Sequence, residues 1–283
     1  MTDPAVRRDL LGLPLDGLTM AQAVDRCTSA VERGDYLPVG MINAAKAVTM
    51  LQDERLRDAV TSCGMVLADG QSVVWASRLL GSPLPERVAG VDLFGRLLAV
   101  AARRGLRVYF LGAEESVLAL ALAKVRRAFP GLVVAGARDG YYPADQDEDV
   151  AAEIRESGAD ILFVGMTSPR KELFISQWGP LTGVKVAHGV GGSSGALAGV
   201  TRRAPLWRQS CALEGLSRAA QEPARLGRQY MSANASFITM VTRELIRQRM
   251  LARAESARRP SAQPSPPPTS RAGAGARPGA RHE

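Results

Sequence analysis

Asp69 sits where an apolar run, Val66-Leu67-Ala68, gives way to Gly70. A carboxylate at such a strand end can take the proton from a bound hydroxyl as that oxygen attacks an electrophile. Asp-Gly is also a common turn dipeptide, so residue type alone leaves both readings open. Asn43 ends an earlier apolar run and could donate to a sugar hydroxyl, or simply cap the helix that follows. Gly189-Val190-Gly191-Gly192 brings several backbone N–H groups to one place, where a diphosphate could approach without meeting a side chain. Pro169-Arg170-Lys171-Glu172 opens a helix with two cations that could bind phosphate or a carboxylate, although solvated cations on a first turn are ordinary. His188 could line a ligand site as a neutral imidazole or serve structure alone. Arg218, Arg225 and Arg228, seven and three residues apart, would share a helix face and could close over a diphosphate leaving group if Pro223 did not interrupt the helix. A solvated basic face accounts for them equally well.

The elements that must carry these residues alternate between short apolar runs and amphipathic stretches, which predicts an α/β fold with a largely parallel sheet flanked by helices. Thr19 and Gln22 spell a capping box that opens a helix to about residue 33. Strands are expected over 36–42, 65–67, 107–111, 132–137, 161–164 and 184–187, and helices over 46–62, 72–80, 116–129 and 170–178. Asn43, Asp69, Gly112, Gly165 and His188 then all fall at carboxyl ends of strands, where open parallel sheets bind their ligands. Three regions are expected: a core over 1–200, an arginine-rich helical appendage over 201–252, and a tail over 253–283 rich in Pro, Ala and Arg that is too poor in apolar residues to fold. Between 226 and 251, Leu226, Tyr230, Phe237, Met240, Val241, Leu245 and Leu251 recur at helical spacing among arginines. Such a stripe lies on an anionic membrane or packs on a core, and the pattern is the same in both cases.

Composition narrows the function. The chain has 283 residues, 46% of them hydrophobic, which is ample for a buried core. No apolar run approaches the roughly 20 residues needed to cross a bilayer. The first residues, with Asp3 and Asp9 beside arginines, lack the apolar centre of a secretory signal, and a cytoplasmic location is expected. Cys27, Cys63 and Cys211 are far apart and only His188 and His282 complete the histidine inventory, so neither a zinc site nor a disulfide framework is expected. The net charge is +8, but six arginines against two glutamates place half of it in the tail from residue 253. With 5% aromatic residues, a nucleic-acid-binding role is disfavoured. There is no GxxxxGK[ST] sequence, and the glycine run is not the GxGxxG of a dehydrogenase.

Taken in order, these segments resemble the WecG/TagA/CpsF family of bacterial glycosyltransferases from about residue 10 to residue 247. The resemblance is carried by Asn43, by Ala68-Asp69-Gly70 with the Val73-to-Ser77 helix, and by Leu84-Pro85-Glu86-Arg87-Val88-Ala89-Gly90-Val91-Asp92. Phe110-Leu111-Gly112, Asp139-Gly140-Tyr141-Tyr142, Gly165 to Glu172, Gly189 to Gly192, Arg203-Ala204-Pro205, Leu213-Glu214 and Glu222 to Arg228 continue it. The resemblance implies a Rossmann-like, inverting, metal-independent enzyme without a cofactor. It would move a sugar of the N-acetylmannosamine type, or a related hexose or uronic acid, from a UDP-sugar to a polyprenyl-diphosphate-linked acceptor for surface polysaccharide. Asp69 is implied as the base. Asn43, Arg87, Gly112, Gly165, Pro169, Lys171, Glu172, Gly191 and Gly192 are implied to bind substrate, and Arg218, Arg225 and Arg228 to complete the site from the appendage. Peripheral attachment to the inner face of the cell membrane and self-association are implied as well.

The chain departs from the family pattern at three places. Met41 stands where a Thr is common, Lys171 replaces the Gln of PKQE, and Ser194-Gly195 replaces Phe-Asp after the glycine turn. A cation in place of a neutral amide favours a more anionic group nearby, which raises a uronic acid as donor or acceptor. The same departures raise the alternative of a non-catalytic nucleotide-sugar-binding or regulatory module on this fold.

Overall fold

The computed structural model describes residues 7–190 and the helix backbone over 223–258, with side chains of that helix from 234 to 251. It opens with an antiparallel hairpin, β1 (Arg7–Leu10) and β2 (Leu13–Asp16), which the sequence reading lacked. Asp16 explains why the hairpin is fixed. Its buried carboxylate accepts the Val66 N–H at 2.7 Å and lies 3.5 Å from the Arg7 guanidinium.

The capping box forms as spelled: Thr19 caps α1 (Met20–Arg33), the Gln22 side chain returns the bond, and Gly34 closes the helix in the left-handed conformation. β3 (Leu37–Ile42) follows. The single helix expected over 46–62 is two, α2 (Ala44–Met50) and α3 (Glu54–Thr61), because Asp53 accepts from Leu56 N–H and starts a new helix after a turn. β4 (Met65–Ala68), α4 (Gln71–Leu79), α5 (Gly90–Arg104), β5 (Arg107–Leu111), α6 (Glu115–Ala128), β6 (Val133–Arg138), α7 (Asp147–Glu156), β7 (Ile161–Val164), α8 (Arg170–Gln177), β8 (Val186–Gly189) and α9 (Pro223–Arg258) complete the described residues. β8 runs two residues further than expected because Val186 to Gly189 pairs with Ile161 to Val164.

Six strands form one sheet in the order β4-β3-β8-β7-β5-β6, and every pairing is parallel. This is a Rossmann-like α/β fold, and β4 and β7 are buried at every residue, as a sheet covered on both faces requires. Alternate strand residues feed the two layers. Val108, Phe110 and Phe163 pack with α1, α5 and α6, whereas Tyr109, Leu111 and Leu162 pack with α7 and α8. Phe94 meets Phe163 edge-on at 4.7 Å, locking α5 to the centre of the sheet.

The described residues up to Leu245 belong to one compact unit and those from Ile246 to a second. Within the first, Phe237 and Val241 of α9 are buried with Leu10, Leu13 and residues of α2 to α4, so this part of the apolar stripe faces the core. Ile238, on the other side of the helix there, is 64% exposed. In the second unit Ile246, Met250 and Leu251 are exposed. Among the described residues no helix is long and apolar enough to cross a membrane.

Candidate functional site

Parallel strands direct their carboxyl ends to one edge, and the described candidate residues gather there. Asp69 follows β4, and its N–H is held by the Ile42 carbonyl at 2.8 Å, so the ends of β3 and β4 are level. A Cβ on Gly70 would lie 3.5 Å from Asn43 Cβ, which sets Asn43 beside the Asp69 turn. Asn43 is the N-cap of α2, its Oδ1 accepting the Lys46 N–H at 2.9 Å. Capping is thus realised, and it fixes the side chain at the site's edge.

The segment carrying Arg87 is tied to the same edge. Val88 N–H donates to the Ala68 carbonyl at 3.0 Å, and the Gly90 N–H, in the first turn of α5, donates to Asp69 Oδ1 at 2.9 Å. A carboxylate on a helix's first turn is favoured by the unpaired N–H groups and the dipole. Arg87 itself is half-buried.

On the other side of β3 lies a compact charge cluster. Lys46 Nζ is 2.6 Å and Lys171 Nζ 3.6 Å from the same oxygen, Glu172 Oε1, and the side chains are 12%, 7% and 8% exposed. Burial raises the Glu172 pKa, but the two ammonium groups outweigh it and hold the carboxyl below its ordinary range. Burial lowers Lys171, with Glu172 and, to a lesser degree, Asp69 opposing. Glu172 Oε2 is buried without a hydrogen bond. Met41, Cys63 and Gly189 are among the residues that line the cleft with this cluster. Lys46 was missed from sequence. A lysine in a helix's first turn works against the dipole, which is the signal that it is placed there for a partner.

Lys171 and Glu172 therefore act together, while Arg170 turns away to Asp147 at 2.9 Å and stacks over the Tyr142 ring at 4.8 Å. Pro169, joined to Ser168 by a cis peptide, is exposed at the start of α8. Gly112 and Gly165 lie further along the edge, between β5 and β7, where the strand order reverses. Gly112 has φ +106°, and a Cβ there would sit 2.8 Å from Met166 N, so the two backbones touch. Gly191, Gly192 and Arg218, with the Ser194-Gly195 departure, lie outside the described residues; Arg225 and Arg228 lie on the α9 backbone, where their side chains are not described. Among the described residues no three His, Cys, Asp or Glu side chains cluster as metal ligands.

His188 is fully buried on β8, facing α5. Its Nε2 lies 3.0 Å from the Gly90 carbonyl, and burial pushes its pKa down to about 4, against the pull of that bond.

Comparison with known proteins identifies the family. A sequence profile of the Glycosyl transferase WecG/TagA/CpsF family matches residues 8–251. The chain is 39% identical over 191 residues to the N-acetylglucosaminyldiphosphoundecaprenol N-acetyl-beta-D-mannosaminyltransferase of Bacillus spizizenii W23, covering 68% of this chain and 73% of that one. With the enzyme of the same name from Bacillus subtilis 168 it shares 33% over 188 residues, 66% of this chain and 72% of that one. The chain belongs to the WecG/TagA/CpsF family and is a glycosyltransferase.

Proposed function

We propose that the chain transfers a sugar of the N-acetylmannosamine type from a UDP-sugar to a polyprenyl-diphosphate-linked N-acetylglucosamine, with inversion, for cell-surface polysaccharide. The observation that carries the reading is Asp69, whose carboxylate is held at the strand edge by the Gly90 N–H between Asn43 and the lysine cluster. The names of the two relatives, which specify the acceptor and the transferred sugar, support the substrate class.

In this reading Asp69 accepts the proton of the acceptor hydroxyl as its oxygen attacks the anomeric carbon from the face opposite the UDP leaving group. The new glycosidic bond forms as the bond to the diphosphate breaks, the bonding pair leaves with UDP, and the proton resides on Asp69. Asn43 and Arg87 line the sugar pocket. Gly112, Gly165, Pro169, Lys171, Glu172, Gly191 and Gly192 contribute to substrate binding, and Arg218, Arg225 and Arg228 stabilise the charge developing on the diphosphate.

Charge balance favours a neutral donor over a uronic acid. The cation introduced at Lys171 already faces Glu172 at 3.6 Å and feels Asp69, so it does not need a substrate carboxylate to compensate it. Attachment to the inner membrane face through the arginine-flanked helix, and self-association, belong to the same proposal. The test is transfer from a panel of UDP-sugars, neutral and acidic, to a polyprenyl-diphosphate-linked N-acetylglucosamine, with the product anomer read by NMR. Transfer of N-acetylmannosamine with inversion is expected. Efficient transfer only from acidic donors would overturn the charge-balance reading, and retention of configuration would overturn the single-displacement mechanism.

A further inference from the structure

Gly90 is clamped from both sides. Its N–H donates to Asp69 Oδ1 at 2.9 Å, and its carbonyl lies 3.0 Å from His188 Nε2. A carbonyl only accepts, so the proton of this contact is on Nε2 and His188 is the Nε2–H tautomer, with Nδ1 a bare acceptor. That Nδ1 is buried and has no partner among the described residues, a desolvation cost that a merely space-filling side chain would not carry. Phe163 meets the ring edge-on with centroids 6.2 Å apart, and among the described residues the charged groups acting on it are Lys171 and Lys46, which both disfavour its protonation. The imidazole is therefore a neutral, fixed donor aimed at the residue that orients Asp69.

We infer that His188 is a positioning residue for transfer: by holding the Gly90 carbonyl it fixes the first turn of α5, and through the Gly90 N–H it fixes the Asp69 carboxylate. The inference rests on the reading of Asp69 as the base. The anchored turn also ends the segment carrying Arg87, whose neighbour Val88 is bonded to the end of β4. Removing the donor frees the turn that orients Asp69, so the loss is expected in the chemical step and not in donor binding.

The test uses the full chain with UDP-N-acetylmannosamine and a polyprenyl-diphosphate-linked N-acetylglucosamine. His188→Leu is expected to lower kcat roughly 10- to 100-fold, the scale of small misplacements of a reacting group, with the donor KM within about twofold. His188→Gln, whose amide N–H reaches about as far as Nε2, is expected to recover most of that loss. Equal kcat values for the Leu and Gln variants would overturn the inference. Should His188→Leu fail to fold, 15N-histidine NMR of the unaltered chain decides, since only His188 and His282 contribute signals. An Nε2–H tautomer that does not titrate between pH 5 and 8 is expected, and an Nδ1–H tautomer or a titration in that range would overturn the inference. Asp69→Asn separates the two levels. If it is inactive while His188→Leu is fully active, the inference alone falls; if Asp69→Asn transfers normally, the base assignment falls and the inference with it.

Discussion

Among the described residues Glu172 is the carboxylate shared by Lys46 and Lys171, and replacing it by Gln should be among the costliest single changes in the sheet's carboxyl edge. Lys46 and Lys171 are at 2.6 and 3.6 Å from the same oxygen with little exposure, so Glu172→Gln leaves two ammonium groups facing each other in a nearly dry cleft. Breaking a buried pair in this way costs about 3–5 kcal/mol. The upper end has its own physical limit, because stripping the proton from an ordinary lysine at pH 7 costs about 5 kcal/mol, after which no repulsion remains. With a urea m-value of about 3 kcal/mol/M, the denaturation midpoint should fall by roughly 1–1.7 M. Adding Lys171→Gln removes one of the stranded charges, and the double variant should recover at least about 1 kcal/mol over Glu172→Gln alone. The sign with pH is fixed by the lowered Glu172 pKa. Its contribution is fully present above the ordinary carboxyl value and is lost as pH falls through the folded one, so the gap between the unaltered chain and Glu172→Gln should close in acid. A cost below about 1 kcal/mol at pH 7, or a double variant no more stable than the single one, would refute the shared-carboxylate account.

Burial holds the His188 pKa at about 4, against an ordinary value near 6.5, so the unfolded chain binds this proton first; stability should drop by about 3 kcal/mol as pH falls from 6.5 to 4, and urea titrations should find that part of the slope missing in His188→Gln. Gly112→Ala places a Cβ 2.8 Å from Met166 N at a left-handed φ and should cost about 2–3 kcal/mol in thermal or urea unfolding. Gly95→Ala, in the middle of α5 with nothing within 4 Å of the new methyl, should instead stabilise by about 0.5–1 kcal/mol.

The parallel-sheet architecture was legible because its strands are short apolar runs, such as Ile161-Leu162-Phe163-Val164, that only a sheet covered on both faces buries completely. Helix breaks were harder. Leu51 to Asp53 divides 46–62 through a cap that reads like any surface aspartate, and α5 and α7 went unread although Gly105 closes the first and an acidic first turn opens the second. The β1–β2 hairpin depends on Asp16 reaching Val66, a contact 50 residues away in sequence. The site shows the same division. Asn43, Asp69 and Lys171 were recognisable from motif and strand-end position, and the structure gathers them at one edge. Pairing was not recognisable: that Lys171 and Glu172 share their charge with Lys46 while Arg170 leaves for Asp147, or that His188 reaches Gly90 across 98 residues, follows from packing of elements distant in sequence.

The most direct test of the central claim compares the unaltered chain with Asp69→Asn in transfer of N-acetylmannosamine from its UDP donor to a polyprenyl-diphosphate-linked N-acetylglucosamine, with donor binding measured in parallel. Asn keeps the shape and can still accept from the Gly90 N–H, but it cannot take a proton. The account predicts unchanged donor affinity and a kcat lowered about 100- to 10,000-fold, the usual worth of a general base. A kcat within about twofold of the unaltered chain would contradict it.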